Sequence, residues 1–219
     1  MTVVERLARA GLAPVPPPRP ARTASAAEVD ARGRALLAAQ GIGEPLELVA
    51  ALREALLLAS GVSALLAAAA SADPSAAREA GLRLAGSGPG LTPLGDDLLV
   101  GAAVAMRLLG PAAGIPPTTV EDWAAEIAAA AGNGRTTADS AELIALAALG
   151  YAVPPLHGIL DLSALGELRW RASLSALERI GATSGRAWAL AAAAICALPL
   201  RAGKPACTFG MFPMTTGAS

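Results

Sequence analysis

Neither sign of charge predominates in this chain: 17 Lys and Arg stand against 18 Asp and Glu. That balance leaves no electrostatic footprint for nucleic acid or for an anionic membrane. Aromatic residues make up only 3% of the chain, too few to build a stacking platform for single-stranded bases. The two cysteines, Cys196 and Cys207, do not amount to a disulfide framework and fit a reducing compartment. The single histidine, His157, excludes a multi-histidine metal site, and Cys and His at zinc-ligand spacing are absent. The first residues, MTVVERLARAGL, carry charge within their apolar part and lack the core of a secretory signal. The expectation is a cytoplasmic protein.

Long hydrophobic runs are nearly absent too, although 54% of the residues are hydrophobic. The longest uncharged window is Ala55–Ala72. It just reaches the length of a membrane span. Much of it is Ala and Ser, which drive insertion weakly, and Gly61 interrupts it. A membrane-associated helical protein is therefore the weakest of three readings, and buried helices are expected instead.

What the chain does have is alanine and leucine at helical spacing. A short helix is expected at Val3–Gly11, followed by an extended, poorly ordered Pro-rich linker over residues 13–24. Helices are expected at Ala26–Gln40, Leu46–Ala59, Pro74–Ala85, Pro93–Leu109, Thr119–Ala131, Ala138–Leu149, Ser163–Ile180 and Ser184–Leu198. Alternating β-branched patterns are scarce. The fold class expected is mainly α, with few or no strands: an Ala-rich helical domain at 26–200, preceded by the helix and linker of 1–25 and followed by a loose tail at 201–219.

Three loops of small residues depart from this background, each opening a helix. The first, GSGPGLTPLGDD (86–97), spends four glycines, two prolines and two adjacent aspartates in twelve residues. Thr92 is placed to cap the following helix and Pro93 to begin it, with Asp96 and Asp97 in or near its first turn. The second loop is GNGRTT (132–137) and the third GATSGR (181–186). Glycine lets a backbone approach a ligand closely, and helix N-termini present free N–H groups to anions. Arg135 and Arg186 add guanidinium groups, and Thr92, Thr136, Thr137, Ser140, Thr183 and Ser184 add hydroxyls. If the loops converge, they make a pocket for phosphate or carboxylate. Asp96 and Asp97 then serve as a general base, as orienters of a substrate N–H, or as ligands for Mg²⁺. Taken alone, each loop is also explained by turn and cap preferences. No Gly-Lys-Ser/Thr follows the glycines, so they are not a Walker A loop.

The three motifs in this order, GxGPGLTPxGDDxLxG, RTTxxS and GxTSG, resemble the AllH-type family over roughly residues 80–200. The family is associated with oxamate carbamoyltransferase, of which it supplies one subunit. The resemblance implies interconversion of oxalurate plus phosphate with oxamate plus carbamoyl phosphate, late in allantoin degradation. It implies small oxyanion substrates and other carbamoyltransferase subunits as partners; a homo-oligomer is expected separately, from the apolar excess and low charge of the Ala-rich helices. Carried over, it assigns catalytic roles to Asp96 and Asp97. It assigns substrate or anion binding to Gly88, Gly90, Thr92, Arg135, Thr136, Thr137, Ser140, Thr183, Ser184 and Gly185, with Asp96 or Asp97 the candidate Mg²⁺ ligand. The chain departs from the pattern at Leu94, where the family usually has Ser, and at Ala187, where the family usually has an acidic residue soon after the Ser-Gly of the third motif. Its N-terminal part is also shorter and helical rather than strand-rich. The alternative to a transferase subunit is a non-catalytic anion-binding or scaffold subunit.

His157, in PPLHGILDL, is expected in a loop as a surface or packing residue, and Trp123, Trp170 and Trp188 as core or interface anchors.

Overall fold

Short polar caps and proline starts divide the chain into helices. The computed structural model describes residues 3–18, 24–51, 56–89 and 92–200. Among them lie α1 (Val3–Arg9), α2 (Ala26–Ala39), α3 (Pro45–Ala51), α4 (Leu56–Ser71), α5 (Pro74–Leu84) and α6 (Leu94–Leu109). They continue with α7 (Pro117–Ala131), α8 (Ala138–Ala148), α9 (Pro154–Leu160), α10 (Ala164–Leu177) and α11 (Ser184–Cys196). No strand occurs among the described residues, so the chain is mainly α as expected. Several starts have a local cause. Ser25 and Glu28 form a reciprocal capping box on α2. Asp73 accepts from the N–H groups of Ser75 and Ala76 at the start of α5, Thr137 caps α8, and Ser163 caps α10.

α6 is the centre of the fold. Gly95 to Met106 are all buried, and a helix that is buried all round must be surrounded by other elements. Its most extensive contact is with α11, with α8 and α7 beside it. Alanines at 189 and 191–194 let α11 lie close, and a Cβ on Gly101 would come within 2.2 Å of the Trp188 carbonyl oxygen. That close approach explains why the first motif ends in glycine. α4 and α7 sandwich α5, and the indole N–H of Trp123 donates to the Ala68 carbonyl at 3.2 Å, tying α7 to α4.

The uncharged window around Ala55–Ala72 falls on α4; from Leu58 onward Ser60, Ser63 and Ala67 are exposed along one stripe, Ala64, Ala70 and Ser71 are half-buried, and the others are buried. No helix among the described residues is long and apolar enough to cross a membrane. The helix expected over Leu46–Ala59 falls on α3 and the start of α4; residues 52–55 lie outside the described residues, as does the tail at 201–219. The described part of the Pro-rich linker is extended but docked: Val15 and Ala152 exchange backbone hydrogen bonds of 2.8 and 3.1 Å. His157 is not in a loop. The double proline starts α9 at Pro154, which buries the imidazole and places Nε2 3.0 Å from the Gly150 carbonyl oxygen. Burial lowers its pKa, so at neutral pH it packs as a neutral ring.

α2 is anchored by one buried cation. Arg32 donates to the carbonyls of Ile159 (2.7 Å) and Asp161 (3.0 Å), pairs with Glu167, and lies over the Trp170 ring.

Candidate functional site

The loop between α5 and α6 delivers two carboxylates into the protein at the first turn of α6. Asp96 and Asp97 are each only 1% exposed. The helix N-terminus favours negative charge here, but burial of two adjacent carboxyls demands further partners. Each aspartate finds them in a different direction.

Asp96 is held by the first and second loops. Its Oδ1 accepts the Gly86 N–H at 2.8 Å, and its Oδ2 accepts the Thr136 hydroxyl. Gly86 reaches this position at φ +75°, and a Cβ there would lie 2.0 Å from the Arg135 carbonyl oxygen. Glycine is required on both counts.

Asp97 faces the third loop. Its Oδ1 accepts the Trp188 indole N–H at 2.9 Å, and the Thr92 hydroxyl lies 3.5 Å from Oδ2. Thr92 and Ser184 share a hydrogen bond of 3.0 Å. Both are half-buried, so a line of hydroxyls runs from the buried carboxyl toward solvent. Burial pushes the Asp97 carboxyl up to about 6; bonds from Ser184, Trp188 and Thr92 pull it back, and the neighbouring Asp96 charge raises it further. A carboxyl poised there can take or give a proton near neutral pH.

The first loop therefore meets both others, at Asp96–Thr136 and at Thr92–Ser184. Several predicted residues have other roles. Thr92 does not cap α6; Pro93 occupies the cap position, and the Thr92 hydroxyl is free to join Ser184. Thr137 caps α8 by accepting the Ser140 N–H. Ser140 is buried, and its hydroxyl has no partner among the described residues. The Arg135 side chain is exposed; its backbone carbonyl is what packs against Gly86. Gly185 is a packing residue, since a Cβ there would lie 1.8 Å from the Leu177 carbonyl oxygen. Gly88 has φ +95° and serves the turn, with Leu94 behind it. Gly90 lies outside the described residues. Trp188, expected only as a core or interface anchor, is the direct donor to Asp97. Its position four residues after Ser184, on the same face of α11, is the signal in the sequence.

All four oxygens of the aspartate pair face hydrogen-bond donors. Among the described residues no group of three or more His, Cys, Asp or Glu is placed to hold a metal ion. This donor set suits hydrogen bonding and proton transfer; Mg²⁺ at Asp96 or Asp97 would share carboxylate oxygens already engaged by donors.

Beside the pair, between α3, α6 and α11, opens a cleft of about 170 Å³. Its walls are Leu48, Leu94, Leu98, Ala187 and Leu190, with Thr183 and Arg186 also lining it. Leu94 and Ala187, the two departures from the motif pattern, thus share one cavity. Thr183 begins α11 without making a side-chain cap bond.

The fold and site define an α-helical domain whose helix N-termini present a buried carboxylate pair and a hydroxyl line. A family model described as oxamate carbamoyltransferase subunit AllH matches residues 84–196, slightly more than half of the chain, and the chain belongs to this family. The match runs from the end of α5 to the end of α11 and includes all three loops. No curated protein and no solved structure matches the chain.

Proposed function

We propose that the chain is a subunit of a carbamoyl-transferring enzyme that acts with partner subunits on small oxyanions. In the forward direction the amide nitrogen of oxamate attacks the carbonyl carbon of carbamoyl phosphate. The C–N bond of oxalurate forms, the C–O bond to phosphate breaks, and one proton leaves the attacking nitrogen. An amide nitrogen is a poor nucleophile, so this step needs a base close by and donors for the developing charge. Asp97 is suited to the base. It is buried, its pKa is raised to about 6, and Thr92 and Ser184 connect it to the surface. Ser184 and the N-terminus of α11 are suited to an oxyanion of phosphate or oxamate.

The observation that carries this reading is the joining of the three family motifs through the two aspartates, with the Asp97 side left open to solvent by way of hydroxyls. The alternative, a non-catalytic anion-binding or scaffold subunit, draws on Asp96. Both its oxygens are engaged by the protein's own loops, which is what a structural clamp requires.

The test is transfer from ¹³C-labelled carbamoyl phosphate to oxamate, followed by NMR, for the chain alone and for the complex isolated with it from its native cells. Loss of labelled oxalurate on Asp97→Asn, with the complex intact, supports a catalytic subunit. Unchanged transfer in that complex assigns the chemistry to another subunit and leaves this one a scaffold.

A further inference from the structure

The cleft beside the aspartate pair does not suit oxamate. Both carbons of oxamate carry oxygen or nitrogen, so neither gains from burial against aliphatic walls, and its polar atoms would lose water without replacement. Yet five of the cleft's lining residues are Leu or Ala, drawn from three helices. Its volume of about 170 Å³ resembles that of an apolar cavity of about 150 Å³ that takes up a six-carbon ring. The polar groups are confined to Thr183 and Arg186. Arg186 is exposed and makes no ion pair among the described residues. Arg186 lines the cleft, and an exposed arginine on an apolar wall can lay its aliphatic stem on that wall and keep its guanidinium in water, where it suits a carboxylate. The cleft adjoins the proposed reaction site directly: Leu98 follows Asp97, and Thr183 precedes Ser184.

We propose that the cleft between α3, α6 and α11 binds the aliphatic part of a small carboxylate of about four to six carbons, held at the mouth by Arg186. This binding does not depend on the transferase reading above: the cleft is a site beside the one proposed for oxamate and carbamoyl phosphate, and it differs from that site in offering aliphatic walls to a hydrocarbon group.

The test is calorimetric titration of the full chain with acetate, butanoate and 3-methylbutanoate, with 3-methylbutylamine as a cation of similar shape, and with inorganic phosphate. Affinity should rise about fourfold for each added methylene, and the amine should bind at least tenfold more weakly than the matching acid. Arg186→Gln should weaken all the acids by about the same factor, about tenfold. Leu190→Gln, at a half-buried wall position, should flatten the dependence on chain length. A flat series on the unaltered protein, or an amine bound as tightly as the acid, overturns the proposal. Phosphate separates this failure from that of the transferase reading. Phosphate binding with a flat acid series refutes the cleft alone. A rising acid series without phosphate binding upholds the cleft and counts against the oxyanion site at the loops.

Discussion

Asp97→Asn removes a buried charge while keeping the side chain's shape, and pH sets the size of its effect. Folding buries the carboxyl and lifts its pKa from 3.8 to about 6. The protonated form is therefore the one that folding favours. The stability this group contributes is fully present below 3.8 and is lost as pH rises through about 6. At about 1.4 kcal/mol per pH unit, the gap between those values amounts to about 3 kcal/mol. Asparagine carries no charge at any pH. Its oxygen still accepts from the Trp188 indole, and its amide group can donate to the hydroxyls of Thr92 and Ser184. The variant should therefore be more stable than the unaltered protein by up to about 3 kcal/mol at pH 8, and by only about 1 kcal/mol at pH 4.5. Urea unfolding followed by far-UV circular dichroism at the two pH values gives both numbers. A variant that is less stable at pH 8, or a difference independent of pH, would refute the reasoning. The carboxylate would then be fully compensated by its partners and no longer poised near neutrality. Retaining a charge that costs stability is what a chemical role for Asp97 entails.

Three further substitutions test the frame around the site. Gly86→Ala should destabilise by about 2 kcal/mol or more, because it puts alanine at a left-handed φ and against the Arg135 carbonyl; the urea midpoint reads this directly. Trp188→Phe removes the donor to Asp97 Oδ1 and should raise the Asp97 pKa above about 6. Its cost should be about 1–3 kcal/mol at pH 8 and smaller at pH 4.5, as the same unfolding experiment at both pH values will show. Arg32→Met leaves the Ile159 and Asp161 carbonyls and Glu167 without their donor. It should cost about 2–4 kcal/mol, with faster hydrogen exchange in α2 and α9.

Helix content was legible because Ala and Leu recur at three- and four-residue spacing and because Ser25, Asp73, Thr137 and Ser163 cap where caps were needed. The loops were legible for the same reason: glycine and hydroxyl residues interrupt an otherwise apolar chain. Which groups the loops bring together was not. Nothing local distinguishes Gly185, which makes room for the Leu177 carbonyl, from a glycine that cradles an anion. Nor does local sequence show that Thr92 gives up the cap of α6 to bond Ser184, 92 residues away. Trp188 read as core because a buried indole usually is; its N–H found Asp97 only through the contact of α6 with α11. The placement of His157 failed because a double proline reads as a turn yet also starts helices well, since its fixed φ suits the first helical positions.

The central claim is that the loops joined at Asp97 form a site for a small oxyanion that undergoes carbamoyl transfer. Calorimetric titration of carbamoyl phosphate into the chain, compared among the unaltered protein, Asp97→Asn and Ser184→Ala, tests it most directly. Saturable binding that Ser184→Ala weakens about tenfold or more, and that Asp97→Asn alters in its pH dependence, is the predicted result. Absence of binding, or binding that neither substitution changes, would contradict the account.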